Sequence, residues 1–144
     1  MEGQTFIAFK PDAIQRGLVG AILSRFEEQG LTVQEMKTVT ATDELLEEHY
    51  SEHVEEDYYD GLVSYMQECP LIVAVLKGED AVDTVRNVVG ETDPAEADSG
   101  TIRGDFEVDS FNEADAENRA VRNLIHASAT TTEATKEIEL WFDS

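Results

Sequence analysis

The apolar run LIVAVL, at residues 71–76, limits the possible folds of this chain more than any other feature. The run is far too short to cross a bilayer, which takes about 20 residues in a helix. Its length and its bounds, Pro70 before it and Gly78 after it, are typical of a β-strand. Because successive residues of a strand point to opposite faces of a sheet, an unbroken apolar run predicts a central strand over 70–78 that is buried on both faces.

Apolar spacing elsewhere predicts an alternation of strands and helices, interrupted by a segment at 91–120 that lacks periodicity. This order indicates an α+β fold, a ferredoxin-like sandwich with a four-stranded antiparallel sheet and helices packed on one of its faces. Residues 1–144 show no domain boundary, so we expect a single domain. The strands are predicted at 5–10, 31–39, 70–78 and 122–127, and the helices from Val19 to a cap at Gly30 and at 42–53, 61–69, 80–90 and 133–142.

The charge is extreme, with 32 Asp and Glu against 10 Lys and Arg and a formal net charge of -22. Disorder is disfavoured because apolar periodicity runs along the chain, and an acidic tail is disfavoured because the acids are dispersed. Adaptation to concentrated salt is the interpretation we favour, since the Debye length shrinks to about 3 Å at 1 M and screens the repulsion. Binding to nucleic acids or to anionic membranes would need clustered Lys and Arg, so we expect neither partner.

The N-terminal sequence and the cysteine content both favour a cytoplasmic protein. The stretch MEGQTFIAFKPD has no cationic segment followed by an apolar one, so we expect no signal peptide. Cys69 is the single cysteine and cannot form a disulfide within the chain, which fits a reducing compartment.

Three scarce cations have positions suited to one anionic pocket. Lys10 follows an apolar strand and precedes a proline, so its ammonium is expected at the end of the sheet. Arg86 lies at the edge of the apolar stripe of a predicted helix, and Arg103 lies between Ile102 and Gly104 in the irregular segment. Arginine matches the geometry of phosphate oxygens, but an ion pair with a neighbouring acid is an equally good interpretation of Arg103 alone.

The stretch RNLIHASA, at 122–129, places His126 after an apolar pair and before small residues. The residues alone leave two interpretations open, a partly buried structural histidine and a nucleophile that needs space in front of it. His49 and His53 lie four apart on a predicted helix, a spacing that can ligate a metal. No third ligand stands at a usable spacing, so we expect both to be solvated.

Five stretches of the chain together closely resemble nucleoside diphosphate kinases, in the order found in that family. The resemblance extends over about residues 4 to 142. The dispersed acidic residues and the stretch IHAS, at 125–128, are similar to those of archaeal, salt-adapted members. The most specific parts are FKPDAIQRGLVG and GTIRGDF followed by N-x-x-H. The five stretches are TFIAFKPDAIQRGLVGAILSRFEEQGL, EEHYSEH, GLVSYM, GTIRGDF and RNLIHAS.

The resemblance implies transfer of a γ-phosphate from a nucleoside triphosphate to a nucleoside diphosphate through a phosphohistidine on His126. Glu137 matches the glutamate that hydrogen-bonds the imidazole, and Lys10 matches a residue at the phosphates. Mg²⁺ is implied as the cofactor, held mainly by the substrate phosphates, with no metal ligands from the protein. Family members form hexamers or, less often, tetramers, so we expect a homo-oligomer, with a hexamer favoured and a tetramer or dimer as alternatives. The nucleotide-binding positions implied are Lys10, Tyr50, Tyr58, Leu62, Arg86, Thr92, Arg103 and Asn123.

The chain departs from the family pattern at three places. Ala127 and Ala129 stand where the family commonly has glycine and aspartate, and Asp57-Tyr58-Tyr59 replaces Pro-Phe-Phe. An insertion at about 109–119 is expected to form a short surface helix near the active site. These departures motivate a rival hypothesis, a catalytically silent relative that binds nucleotides. A third hypothesis, an acidic protein that mimics nucleic acid, predicts no nucleotide binding.

Overall fold

The protein is described from a computed structural model, which covers residues 2–91, 94–106, 111–117 and 122–142. The sheet has the strand order β2-β3-β1-β4, and its neighbouring strands are antiparallel. Four-stranded antiparallel architecture and a ferredoxin-like fold are thus confirmed. The strands are β1 (Glu2–Phe9), β2 (Thr32–Val39), β3 (Leu71–Glu79) and β4 (Ile125–Ala127).

Eight α-helices connect and cover these strands in the described residues. They are α1 (Pro11–Gln15), α2 (Val19–Glu28), α3 (Asp43–His49), α4 (Tyr59–Met66), α5 (Ala81–Val89), α6 (Ile102–Asp105), α7 (Phe111–Ala116) and α8 (Thr131–Phe142), with a 3₁₀ turn at Pro94–Glu96. None of the helices in the described ranges is long and apolar enough to traverse a bilayer.

The sheet is covered on both faces, so the expectation of helices on one face was wrong. Ile7 and Phe9 of β1 face a core built with α2 and α5. Phe6 and Ala8, their neighbours along the strand, face a second core built with α3, α4 and α8. Strand side chains alternate between faces, so the apolar run of β3 requires a layer of helices on each side.

The predicted central strand is confirmed at β3, which pairs with β2 on one side and β1 on the other. Two predicted boundaries differ in ways that matter for the site. The strand expected at 122–127 is regular only at Ile125–Ala127, and the helix expected at 42–53 ends at His49. Within the predicted insertion at about 109–119, the described part contains α7, and residues 109–110 and 118–119 lie outside the described ranges.

Candidate functional site

β4 is a short edge strand that brings His126 against β1, with His126 opposite Ala8. The chain enters β4 through a tight turn at Asn123 and Leu124. Leu124 is almost fully buried and has a φ of 72°, a left-handed conformation that is uncommon for a residue other than glycine. The direction of β4, and of the histidine in it, therefore depends on how this turn is held.

The segment after β1 holds one side of that turn. Pro11 occupies the first position of α1, where its fixed φ suits the start of a helix. The backbone N–H of Lys10 donates to the carbonyl oxygen of Leu124 at 2.9 Å. Asp12 accepts from the backbone N–H of Leu124 at 3.1 Å through Oδ2, and from the hydroxyl of Tyr65 through Oδ1.

Arg103, on α6, holds the other side through backbone carbonyls. Its Nε donates to the oxygen of Asn123 at 3.2 Å, its Nη2 to Ile125 at 2.6 Å and its Nη1 to Gly90 at 3.2 Å. Glycine is required at position 90 because its φ is 92° and a Cβ there would lie 2.6 Å from the hydroxyl oxygen of Thr101, at the start of α6. These contacts are with carbonyls, so the ion-pair interpretation of Arg103 receives no support from the described residues.

A cavity of about 140 Å³ lies where these elements meet, and it brings together the three cations singled out in the sequence. The Nζ of Lys10 donates to Oδ1 of Asn123 at 2.7 Å. The lining contains no carboxylate. Such a cavity suits an anion with several oxygens, such as a phosphate. Its lining is Lys10, Arg86, Val89, Gly90, Arg103, Asn123, His126 and Ala127.

The cations in this cavity are destabilised by their own surroundings. Burial, and then the charge of Arg103, lowers the pKa of Lys10 from 10.5 to about 7. Burial, and then the charge of Arg86, lowers the pKa of Arg103 to about 10. An anion bound between them would relieve this repulsion, so the charge distribution favours an anionic ligand.

Within the described part of the chain, His126 is held through one ring nitrogen. Its Nε2 lies 3.0 and 2.9 Å from the two carboxylate oxygens of Glu137, on α8. Because an ionised carboxylate can only accept, Nε2 carries the proton and Nδ1 keeps its lone pair. Burial, and then the charges of Lys10 and Arg103, lowers the pKa of His126 from 6.5 to about 3. The imidazole is therefore neutral and nucleophilic at physiological pH.

Ser128 and Glu133 hold the chain immediately after His126. Ser128 is fully buried and donates through Oγ to Glu137 at 2.5 Å, while its backbone N–H donates to Phe6 at 3.2 Å. The backbone N–H of Ala129 donates to a carboxylate oxygen of Glu133 at 3.1 Å. A carboxylate from α8 thus anchors the loop where the family commonly places an aspartate at 129.

His49 belongs to this site, and the expectation that it is solvated was wrong. Its ring lies 4.5 Å from that of His126, centroid to centroid, and its Nδ1 accepts from the indole N–H of Trp141 at 3.1 Å. Burial, and then the proximity of His126, lowers the pKa of His49 to about 3. The available signal was its spacing from Leu46, since residues three apart share a helix face.

Three side chains at the site are close enough to form a metal-binding group. One donor atom each from His49, His126 and Glu137 lies within 4.8 Å of the others. The donor atoms are already engaged, because Trp141 donates to His49 and Glu137 accepts from His126. A metal there would have to displace both hydrogen bonds.

Three of the remaining predicted positions, Tyr50, Tyr58 and Leu62, lie between the end of α3 and the middle of α4. Tyr50 lines a second cavity of about 320 Å³ that also reaches His126, and its buried hydroxyl has no hydrogen-bond partner among the described residues. Tyr58 is 45% exposed and its hydroxyl lies 2.5 Å from Nδ1 of His53. Leu62 packs against the second core. Thr92 lies outside the described residues.

A larger cavity, of about 700 Å³, lies away from this cluster, near the start of β1 and α5. Carboxylates of Glu2, Asp80, Asp83 and Glu139 contribute to its lining, which contains no Lys, Arg or His. It therefore lacks the groups that recognise a phosphate.

Comparison with known protein families gives a single result over nearly the whole chain. A family model described as nucleoside diphosphate kinase matches residues 3–144. A nucleoside diphosphate kinase from Methanobrevibacter smithii is 42% identical over 140 residues, which cover 97% of this chain and 87% of the relative.

Solved structures of such kinases share the fold. A nucleoside diphosphate kinase from Borrelia burgdorferi, a transition-state mimic with bound vanadate and ADP, is 34% identical, with a TM-score of 0.91 over 98% of this chain and 87% of that one. A halophilic nucleoside diphosphate kinase from Halobacterium salinarum, in complex with CDP, is 39% identical, with a TM-score of 0.87 over 100% of this chain and 90% of that one.

Proposed function

Because this chain belongs to the nucleoside diphosphate kinase family and is an enzyme of that class, we propose that it works by a ping-pong route through a phosphohistidine on His126. The observation that supports this most directly is the unequal environment of the two imidazole nitrogens. Nε2 is bound to Glu137, and the ring lines the cavity that holds three cations. Nδ1 is then the nitrogen available for attack.

In the first half-reaction, the Nδ1 lone pair forms a bond to the γ-phosphorus while the bond to the bridging oxygen breaks. The electron pair of that bond leaves with the nucleoside diphosphate. The imidazole keeps its Nε2 proton and becomes positively charged, which the Glu137 carboxylate stabilises. In the second half-reaction, a terminal oxygen of another nucleoside diphosphate forms a bond to the phosphorus while the bond between phosphorus and Nδ1 breaks. The electron pair of that bond returns to Nδ1, which restores neutral His126.

The remaining residues of the site position the substrate and balance its charge. Lys10, Arg86 and Arg103 neutralise the phosphoryl oxygens, which is most of what phosphoryl transfer requires from a protein. Asn123, Tyr50 and Thr92 bind the phosphates and sugar in this proposal. Tyr58 and Leu62 contact the base, and stacking on an aromatic ring discriminates little between bases.

Mg²⁺ is the proposed cofactor. It prefers oxygen ligands, and the cation-lined cavity offers it no carboxylate. The substrate phosphates would therefore hold it, and its chemistry would be to neutralise their charge. The residues of the chain contribute the nucleophile and the cations around it.

The phosphohistidine proposal is tested with ATP labelled on its γ-phosphate and Mg²⁺. We expect the protein to take up label that is stable in alkali, labile in acid and absent from His126→Ala. Nucleotide binding without any label would instead indicate a catalytically silent relative. Absence of nucleotide binding would indicate the third hypothesis, a mimic of nucleic acid.

Four further properties belong to this proposal. We propose that residues 1–144 form a single domain with an insertion at about 109–119, that the protein is cytoplasmic, and that its acidity adapts it to high salt. We also propose a homo-oligomer, with a hexamer favoured. An exposed edge supports the last point, because β2 borders the sheet and its Met36 is 49% exposed. Mass measurement in high salt would determine the oligomeric state.

A further inference from the structure

The turn before β4 contains a backbone conformation that its surroundings must maintain. Among the described residues other than glycine, two have positive φ, Asp80 and Leu124. Leu124 is buried and lies two residues before His126, whereas Asp80 precedes α5. A left-handed leucine is strained and persists only where neighbouring groups over-determine it. The groups that bind the Leu124 backbone therefore decide where His126 points.

The peptide that joins Asn123 to Leu124 is held at both ends. Its carbonyl oxygen accepts from Nε of Arg103 at 3.2 Å, and its N–H donates to Oδ2 of Asp12 at 3.1 Å. Rotation of this peptide would break both bonds. It would also move the Asn123 side chain, whose Oδ1 accepts from the Lys10 ammonium at 2.7 Å.

Asp12 is itself rigidly placed. It is 4% exposed, follows Pro11 in the first turn of α1, and accepts from the hydroxyl of Tyr65 through its second oxygen. Burial and the neighbouring Asp12 carboxylate raise the pKa of Tyr65, so the hydroxyl remains a donor throughout the physiological range. Asp12 thus connects α4 to the turn that leads into β4.

A second connection from α4 reaches the same turn and does not involve Asp12. The guanidinium of Arg122 lies 4.8 Å from the centre of the Tyr65 ring, and its Nη2 is 2.5 Å from Oε2 of Glu68. The chain is therefore held at residue 122 when Asp12 is changed. The expected effect of such a change is a local reorientation of residues 123–126, not release of the strand.

We infer that Asp12 is a positioning residue for phosphoryl transfer, which keeps Leu124 in its left-handed conformation and thereby directs Asn123 and His126 at the cation-lined cavity. This inference rests on the proposed function. Asp12 touches neither nitrogen of His126 in the described contacts, so it acts through the backbone. A displacement of about 1 Å at the nucleophile is enough to slow a transfer step about a hundredfold.

Two variants separate positioning from charge. Asp12→Asn keeps the shape but presents an N–H₂ group to one of the two donors, so one of its hydrogen bonds is lost. It also removes the negative charge that raises the pKa of Lys10. Tyr65→Phe keeps this charge and removes only the hydroxyl that orients the carboxylate. Asp43→Asn is the matched control, because the carboxylate of Asp43 also accepts from a side-chain donor, Nε2 of Gln67 at 2.8 Å, but does so on the exposed surface.

The experiment measures the single-turnover rate of phosphohistidine formation at several pH values, together with ATP affinity and the melting temperature of each variant. For Asp12→Asn we expect a rate about 10- to 100-fold lower, with ATP affinity within about threefold of wild type, at temperatures where the protein is folded. Tyr65→Phe should lower the same rate by a smaller factor, and Asp43→Asn should leave it unchanged.

The outcomes are distinguishable. A wild-type protein that forms no phosphohistidine would contradict the proposed function. Wild-type phosphohistidine formation with an unchanged rate in Asp12→Asn would overturn the positioning role, even if the melting temperature falls. The positioning role would also be overturned if Asp12→Asn alone lowered the rate and shifted its pH profile, while Tyr65→Phe matched wild type. The loss of the negative charge of Asp12 would then be enough to explain the slower rate.

Discussion

The role of nucleophile that we propose for His126 is favoured by its surroundings, because one of its nitrogens is occupied and its positive charge is suppressed. The Glu137 carboxylate accepts a hydrogen bond from Nε2, and burial together with Lys10 and Arg103 lowers the pKa of the imidazole to about 3. Protonation therefore does not compete with attack at neutral pH. In the proposed mechanism the carboxylate has a second effect, since it would stabilise the positive ring that forms when phosphorus is bound.

The first prediction at the residue scale is that Glu137→Gln slows phosphohistidine formation by about 10- to 100-fold. A neutral amide cannot stabilise the charged ring, and it presents either an oxygen or an N–H₂ group to Nε2. Rapid quench with labelled ATP measures the rate. Glu139→Gln, an exposed position on the same helix, is the control and should match wild type. If Glu137→Gln formed phosphohistidine as fast as Glu139→Gln and wild type, Glu137 would have no part in the mechanism.

The second prediction concerns Lys10, whose pKa is lowered to about 7. A phosphate beside the ammonium favours its charged form, so ADP binding at pH 8 should take up close to one proton. At pH 6 this uptake should be small, because Lys10 is already charged. Calorimetry in two buffers of different ionisation enthalpy measures the uptake. Lys10→Gln should abolish it, and an uptake that persists in this variant would assign the proton to another group.

At the element scale, two neutral histidines meet where α3, β4 and α8 come together, His49 on α3 and His126 on β4. His49 lies at the end of α3, accepts from Trp141 of α8 and contacts the His126 ring. The elements α3, β4 and α8 must pack together before either histidine is buried. Because both imidazoles are buried in the neutral form, acid that protonates them should destabilise the packing of these three elements.

The third prediction follows from the lowered pKa values of His49 and His126, both about 3. Below pH 6.5 the unfolded chain binds protons that the folded chain does not, so the stability is present above pH 6.5 and is lost as the pH falls toward 3. Each histidine should account for more than about 2 kcal/mol of this loss. Denaturant unfolding at several pH values measures it.

The comparison for this prediction is His49→Gln, which retains an acceptor for Trp141 but cannot take up a proton. The many carboxylates titrate in both proteins, so their effect largely cancels in the difference. We expect the variant to lose less stability than wild type between pH 6.5 and 4. Parallel pH profiles would show that His49 is not held neutral by the fold.

For the whole molecule, the dominant property is a net charge of -22 on a chain of 144 residues. Self-repulsion of this size opposes a compact state unless salt screens it. Exposed glutamates such as Glu27 and Glu28 on α2 and Glu55 and Glu56 after α3 carry part of this charge.

The fourth prediction is that the melting temperature rises by about 10 °C or more between 0.1 and 2 M KCl, which corresponds to about 3 kcal/mol for a domain of this size. Replacing Glu27, Glu28, Glu55 and Glu56 with glutamine should reduce this salt dependence. Scanning calorimetry measures both proteins. A flat response in the wild type would refute salt adaptation.

Some features of the site were predictable because they are local or are carried by motifs. The apolar run of β3 requires a central strand, and the position of Lys10 after an apolar strand indicates a cation at the end of a sheet. The resemblance of FKPDAIQRGLVG, GTIRGDF and N-x-x-H indicates the family, which the comparisons confirm. Because cations are scarce in this chain, we predicted that Lys10, Arg86 and Arg103 share one anionic pocket. The structure places all three in the lining of one cavity.

The sequence by itself determined the order of the four strands and of the five helices α2, α3, α4, α5 and α8, and the burial of the central strand, because periodicity is a property of neighbouring residues. It did not predict the short helices α1 and α6. Only the tertiary structure decided that both sheet faces are covered, that His49 is buried beside His126, and that Nε2 is the nitrogen held by Glu137. It also decided the left-handed Leu124 and its dependence on Asp12, 112 positions away in the chain. These contacts depend on which distant segments meet after folding, and the spacing of neighbouring residues does not predict such contacts.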